Sequence, residues 1–271
     1  MKLRTIPLAA LAAFTLAGPA SAATLLTDNF NTEKVGASVF NDAAALTADQ
    51  SGPAATKTYT TYISGGWDGA YQRGNGGTWL MHAGQDGGTT NGFGGTDKRG
   101  SLNYDIAAVA NTIGTALAIS FNMSVSGEIG DSWATFTVGS VNPVINADSP
   151  GFGSLFRDSG ATEQYSNNAS LGSTPTFTDG QLITFVLSDA TGSGSAFDVS
   201  NGANDIVKMY VGGSLTNTFT GLNLDATDQY ISFHANNVIA NIDNLSIATI
   251  PEPGAALLGS LGMLCLLRRR R

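Results

Sequence analysis

Two imidazoles, His82 and His234, are all the histidines in the 271-residue chain, and neither sits in a pattern that activates a nucleophile. There is no G-x-S-x-G elbow to present a serine and no H-E-x-x-H pair to hold zinc. The single cysteine, Cys265, lies close to the C-terminus. Carboxylate pairs are the remaining common route to hydrolysis. Glu33, Glu128 and Glu163 are the glutamates before the C-terminal tail, and only Glu128 has a second carboxylate within four residues, Asp131. Glu128-Ile129-Gly130-Asp131 reads as a hairpin loop. A carboxylate pair assembled from distant strands is the one enzymatic route left, and it would make the chain a carbohydrate-active hydrolase or lyase. The sequence reading is that the chain is not an enzyme.

Chemistry of contact is better represented. Between Ser64 and Gly100 the chain has 13 glycines in 37 residues. Trp67, Tyr71, Trp79 and Phe93 stand among them, with Asp68, Gln72, Asn75 and Asp86 close by. A sugar ring offers a flat apolar face to an indole or phenol ring, while amides and carboxylates bond its hydroxyls. Trp67, Tyr71 and Trp79 are therefore candidate glycan contacts. The competing reading is that Trp67 and Trp79 plug a sheet edge, and Trp79 shares its strand face with Met81, which favours burial. Trp133 is a fourth candidate, on a strand face otherwise made of Thr135 and Thr137. In "DGGTTNGFGGTD", Asp86, Asn91 and Asp97 place oxygen ligands on a glycine-rich loop, a setting that suits calcium, although the spacing matches neither the EF-hand nor the Gly-Gly-x-Gly-x-Asp repeat. The alternative for each aspartate is a turn-forming role.

The elements that carry these residues read as strands. In "LAISFNMSV" the residues Leu117, Ile119, Phe121, Met123 and Val125 alternate with Ala118, Ser120, Asn122 and Ser124, the period-2 pattern of a half-buried strand. "WATFTVG" alternates Ala134, Phe136 and Val138 against Trp133, Thr135 and Thr137. "QYISFHAN" sets Ile231 and Phe233 against Tyr230, Ser232 and His234, making His234 a surface or groove residue. "QLITFVLSD" is apolar on both faces and reads as a central strand. "DIVKMYVGG" alternates and then turns at Gly212-Gly213, and "VIANIDNLSIATI" is a final strand. "TLLTDNF", "TKTYTTYI", "TWLMHA" and "SLNYDI" are earlier ones. About ten short strands with loop-rich connections predict an all-β sandwich. No internal repeat and no linker is evident.

The order of these features resembles the concanavalin A-like, or laminin G-like, jelly rolls. "LLTDNFNTEKVG" is similar to their opening strand, "IVKMYVGGSLTNTF" to a strand-turn-strand hairpin, and "YISFHANNVIANIDNLSI" to their close. Galactose-binding-like jelly rolls end similarly, so the exact sandwich stays open. The resemblance to calcium-bearing jelly rolls implies Asp28 and Asp243, on first and last strands, as further calcium candidates beside Asp86 and Asp97. The retaining glycosidases of the class carry a Glu-x-Asp-x-x-Glu strand that has no counterpart here.

The two ends of the chain concern routing. Lys2 and Arg4, an apolar stretch from Ile6 to Ala17 and Ala20-Ser21-Ala22 are ordered as a secretory signal, with signal peptidase expected to cut after Ala22. At the other end stand Pro251-Glu252-Pro253, an uncharged run from Gly254 to Leu267, and Arg268, Arg269, Arg270 and Arg271. A 14-residue helix spans roughly 21 Å, short of the roughly 30 Å of a bilayer core, and the arginines would stay cytoplasmic. This three-part tail resembles the PEP-CTERM sorting signal of Gram-negative bacteria. The resemblance implies cleavage near the Pro-Glu-Pro motif by an exosortase, transient anchoring in the inner membrane, a host that makes exopolysaccharide, and delivery to the cell surface or extracellular matrix. The expected organisation is thus a signal peptide at 1–22, one sandwich domain at 23–248 and a sorting signal at 249–271. A plain C-terminal anchor is the alternative for the tail.

Charge sharpens the picture. Without both end segments the chain keeps seven basic residues against twenty acidic ones, a net −13. Such a surface repels nucleic acid and anionic lipid and attracts divalent cations. The expected role is structural or adhesive, with exopolysaccharide as the expected ligand; a surface protein with no specific ligand is the competing reading.

Overall fold

The computed structural model describes residues 22–30, 50–53, 55, 59–64, 70–73, 78–82, 99–106, 115–126, 133–139, 151–167, 169–173, 176–192, 194–197, 204–224, 228, 230–236 and 238–250. Among the described residues there are sixteen strands. They are β1 (Thr24–Asp28), β2 (Gln50–Ser51), β3 (Thr60–Ser64), β4 (Ala70–Arg73), β5 (Thr78–His82), β6 (Arg99–Asp105), β7 (Ala116–Ser126) and β8 (Trp133–Gly139), followed by β9 (Phe152–Phe156), β10 (Thr162–Ser166), β11 (Ala169–Gly172), β12 (Gln181–Ser188), β13 (Asp205–Val211), β14 (Ser214–Leu222), β15 (Tyr230–Asn236) and β16 (Ile239–Ile250). They form two antiparallel sheets, one in the order β14-β13-β12-β7-β16-β1-β2 with β5 and β4 added beside β16, the other in the order β11-β10-β9-β8-β15-β6-β3. Among the described strands the chain changes sheet at β2 to β3, β3 to β4, β5 to β6, β6 to β7, β7 to β8, β11 to β12, β14 to β15 and β15 to β16, which gives a jelly-roll β-sandwich.

Alternation decides which face each strand buries. From β7, Leu117, Ile119, Phe121, Met123 and Val125 enter the core; from β8, Ala134, Phe136 and Val138; from β12, Ile183, Phe185 and Leu187; from β15, Ile231, Phe233 and Ala235. Phenylalanines from opposite sheets meet at the centre. Phe136 stacks on Phe185 with centroids 4.7 Å apart and planes 9° from parallel, and Phe121 meets Phe233 edge-on at 4.9 Å.

The first and last strands are neighbours. Thr24 pairs with Ala248 and Asp28 with Leu245, and beyond the ladder the Thr249 N–H donates to the Ala23 carbonyl at 2.9 Å while the Ala23 N–H donates to Thr249 Oγ1 at 2.9 Å. The last strand therefore continues to Ile250, two residues past the domain end read from the sequence. The Pro251-Glu252-Pro253 motif, the apolar run and the four arginines lie outside the described residues, as does the signal segment up to Ser21. Among the described residues no helix is long and apolar enough to cross a membrane.

The β13–β14 hairpin turns at Gly212 and Gly213, with φ of 58° and 82°. A two-residue turn with both φ positive matches the twist of the strands it joins. Nothing lies within 4 Å of a Cβ placed on Gly213, so its requirement is conformational. Replacing Gly213 with Ala is expected to cost about 1–2 kcal/mol, readable as a lower midpoint in denaturant unfolding.

Candidate functional site

The outer face of the second sheet is where polar residues are concentrated away from solvent. Opposite each core residue of β6, β15 and β8 stands a polar one, and the antiparallel register aligns them across strands. One row runs Glu163, Leu155, Thr135, His234, Ser101 and Tyr62; the next runs Tyr165, Gly153, Thr137, Ser232, Asn103 and Thr60. Trp133 stands opposite Asn236 on one side of these rows, and Tyr230 opposite Gly139 and Asp105 on the other. A polar face of an antiparallel sheet ordinarily meets water. Here Ser101, Asn103, Thr135, Thr137, Ser232, His234 and Asn236 are all buried. Trp133, Tyr165 and Tyr230 are half-buried at the margins.

Hydrogen bonding on this floor is incomplete. Thr137 Oγ1 lies 3.3 Å from His234 Nε2, and Asn103 Nδ2 donates to Ser101 Oγ at 3.2 Å. Thr135 Oγ1, Ser232 Oγ and Asn236 Oδ1 are buried with no hydrogen-bond partner among the described residues. A buried polar atom in that condition costs about 1–3 kcal/mol, and native structures hold few of them. Three on adjacent strands of one face make a coherent set of donors and acceptors.

Glu163 and Asp105 stand at the margins of this face. Among the described residues of its buried interior His234 is the one titratable side chain, and burial lowers its pKa from the usual 6.5 to about 3, so it is neutral at physiological pH. The same shift places it far from the range where a general base works well.

The sequence candidates are distributed unevenly over the fold. Trp133 is on this face. Tyr71 and Trp79 lie on β4 and β5, at the far side of the first sheet, Trp79 in register with Ile242; the backbone of these strands is described and their side chains are not. Trp67, Asp86, Asp97, Glu128 and Asp131 lie outside the described residues.

Asp28 and Asp243 do not come together. Asp28 points into the sandwich, where Oδ1 accepts the Phe30 N–H at 3.0 Å and Oδ2 accepts the Tyr59 hydroxyl at 2.7 Å. Burial, and then the Asp28 charge, push the Tyr59 phenol well above its ordinary pKa. Asp243 faces away from the core on β16, beside a bulge at Asn244, and Oδ1 accepts the Asn244 N–H at 2.7 Å. Burial raises its carboxyl above the usual carboxylate range against the effect of that N–H. Two carboxylates on opposite faces of one sheet do not fit a shared calcium, and among the described residues no three His, Cys, Asp or Glu side chains are grouped to hold a metal ion. Tyr59→Phe removes a hydrogen bond to a buried carboxylate and is expected to lower unfolding free energy by about 1.5–3 kcal/mol, measurable by chemical denaturation.

Sequence reasoning reached Trp133, Thr135, Thr137, Ser232 and His234 as one-face residues, and left out Ser101, Asn103, Asn236 and Tyr165. The alternation in "SLNYD" held the signal for the first two; "TEQYS" is too short and too polar to mark Tyr165.

No family model matches the chain, and no curated protein does. Among solved structures it is similar to a protein of unknown function from Shewanella oneidensis MR-1, with 10% identity, 89% of this chain and 90% of that one covered, and a TM-score of 0.46. The Lotus tetragonolobus seed lectin is 13% identical, with 85% and 100% covered and a TM-score of 0.43. The exoplasmic/lumenal domain of VIP36, in its Ca2+/Man3GlcNAc-bound form, is 10% identical, with 72% and 84% covered and a TM-score of 0.42. At such identities the likeness transfers no residue and no ligand to this chain.

Proposed function

We propose that the outer face of the second sheet binds an uncharged, hydroxyl-rich polysaccharide, and that the chain acts as an exported adhesive or structural protein of the cell surface or extracellular matrix. The observation that carries the binding reading is the buried row with Thr135 Oγ1, Ser232 Oγ and Asn236 Oδ1 unpartnered. Sugar hydroxyls both donate and accept, which is what hydroxyls and amides on the floor require. Trp133, Tyr165 and Tyr230 flank that floor at intermediate burial and supply ring faces for stacking. The chain's net charge of −8 opposes a polyanionic ligand, so neutral polysaccharide is favoured over uronate-rich polymer. A floor whose buried interior holds, among the described residues, one titratable group, a histidine held near pKa 3, supports binding rather than catalysis.

Export and sorting belong to the same reading. The N-terminal signal and the Pro251-Glu252-Pro253 tail route the chain through signal peptidase and an exosortase, with transient residence in the inner membrane. The described ends of the sandwich suit this: Ala23 and Thr249 are bonded to each other, so the first and last strands begin and end side by side.

The test is a titration of the full chain, in mild detergent, with the host's neutral and acidic exopolysaccharide fractions, first with calcium and then with a chelator. Saturable binding of the neutral fraction supports the reading, and loss on chelation brings in the Asp86 and Asp97 loop. Trp133→Ala is expected to weaken binding about five- to tenfold, a stacking contribution of roughly 1–1.5 kcal/mol, with little change in melting temperature. Absence of binding to either fraction overturns it, and means that ordered water satisfies the floor.

A further inference from the structure

The outer face of the first sheet shares no residue with the floor, yet its register draws a second polar line. Strand pairing aligns Tyr210 of β13, Thr184 of β12, Ser120 of β7, Ser246 of β16, Thr27 of β1 and Ser51 of β2. Each of these side chains carries a hydroxyl. At roughly 4.8 Å between neighbouring strands, the line runs about 24 Å across the sheet. Alternation sets it outside, because the residues next to Tyr210, Thr184 and Ser120 along their strands are core. Ser51 is exposed and the other members are half-buried.

Neighbouring hydroxyls along the line pair with one another. Ser120 Oγ lies 2.9 Å from Thr184 Oγ1, and Thr27 Oγ1 lies 2.6 Å from Ser51 Oγ. A bonded pair uses one hydrogen and one lone pair, and keeps its other hydrogen and remaining lone pairs for a ligand. Apolar surface adjoins one end of the line. Leu215 of β14 stands opposite Tyr210, and Leu182 is two residues from Thr184 on the same face of β12. They are 54% and 42% exposed, two of the three exposed large hydrophobics among the described residues. Tyr210 beside them offers a ring for stacking. Across β13, β12, β7, β16 and β1 the outward side chains bring one Lys208 and one Asp243, whose charges cancel.

We propose that this face is a second binding surface for neutral polysaccharide, with the polymer lying across the strands along the hydroxyl line and a sugar ring stacked on Tyr210. One molecule then holds polymer on both sides of the sandwich and cross-links it. The proposal takes its ligand class from the reading above and none of its residues. Charge selects the occupant. A chain of net −8 repels a polyanion, and a basic partner meets a face whose two charges cancel. A second copy brings the same net −8, and the centre of a protein interface is apolar and aromatic rather than a line of hydroxyls. Sugar hydroxyls match donors and acceptors set at a regular step. The two faces are the outer sides of the two sheets, so they point in opposite directions, and polymer bound on both gains avidity. Being shallower than the buried floor, this face should hold its fragment about tenfold more weakly.

Calorimetric titration of the full chain, in mild detergent, with hexasaccharide fragments of the host's neutral exopolysaccharide tests this. The expected result is two fragments per chain, one tight and one weaker. Ser120→Ala combined with Thr184→Val removes both partners of one hydrogen bond, a change nearly neutral for stability. It should abolish the weaker event with an unchanged melting temperature. Tyr210→Ala should weaken that event about five- to tenfold. With intact polymer, the native chain should raise solution viscosity and the Ser120/Thr184 variant should not. A single event that this variant leaves untouched overturns the proposal, whereas a single event that it abolishes upholds the proposal and removes the floor as a site. A doubled mass by light scattering that the variant abolishes, with no second binding event, also overturns it, since a second copy would then cover the face.

Discussion

Truncating Phe136 to alanine should lower the free energy of unfolding by about 3–5 kcal/mol, a large part of the roughly 5–15 kcal/mol that a domain commands. The size follows from position. Phe136 is fully buried at the midpoint of β8 and meets rings from both sheets: Phe185 at 4.7 Å, Phe121 at 5.2 Å and Phe233 at 5.6 Å. Removing it forfeits the transfer energy of a whole aromatic side chain and leaves a cavity that β-strands, held by their ladders, close poorly. The chain has a single cysteine, Cys265, so no disulfide within it offsets the loss. Denaturant unfolding followed by tryptophan fluorescence should show the midpoint fall with an unchanged slope. A loss under about 1 kcal/mol would mean that the two sheets do not share this centre.

Acid should destabilise the fold through His234. Its pKa is about 3 in the folded chain because burial penalises the charged ring, against 6.5 when free. Below pH 6.5 the unfolded chain takes up a proton that the folded chain refuses, so stability is fully present above that value. It then falls by about 1.4 kcal/mol per pH unit until the folded-state value near 3 is passed. Carboxylates add their own acid dependence, so the informative quantity is the difference between the native chain and His234→Gln across a pH series. That difference should be flat above pH 6.5 and should narrow steadily below it. Parallel curves would show that the imidazole is solvated in the folded chain.

How much of this was legible beforehand follows from what alternation can and cannot reveal. Strands with an apolar side were plain: β7, β8, β13 and β15 bury the residues that their period-2 patterns assign to the core. The Gly212-Gly213 turn was equally plain, because glycine is the residue that tolerates two positive φ values in succession. β9 and β10 were missed. On β10 the core-facing side is itself polar, with Gln164 Nε2 donating to Ser154 Oγ at 3.2 Å and to Thr162 Oγ1 at 3.1 Å; β9 offers only Phe152 and Phe156 on either side of Ser154, too short a rhythm to mark it. β2 and β4 are too short to show one.

The polar floor was half legible. Alternation placed Thr135, Thr137, Ser232 and His234 together on strand faces away from the core, but a polar face normally implies water. Only the packed fold shows these residues buried and in register across two neighbouring strands. Asp28 illustrates the converse. Its place on the first strand suggested a metal ligand by resemblance, whereas its carboxylate is engaged by the Phe30 N–H and the Tyr59 hydroxyl, a partnership of residues 31 positions apart that no local pattern announces.

The central claim is that the floor's polar atoms serve a ligand, and Thr135→Val combined with Ser232→Ala tests it most directly. Both changes remove hydroxyls that have no partner within the protein and keep nearly the same shape, so stability should hold or rise by about 1 kcal/mol. Titrated with the neutral exopolysaccharide, the double variant should bind about tenfold more weakly or worse than the native chain. Stability preserved with binding lost is the predicted result. Native-strength binding by the double variant would contradict the account, because the ligand would then be held by another part of the molecule.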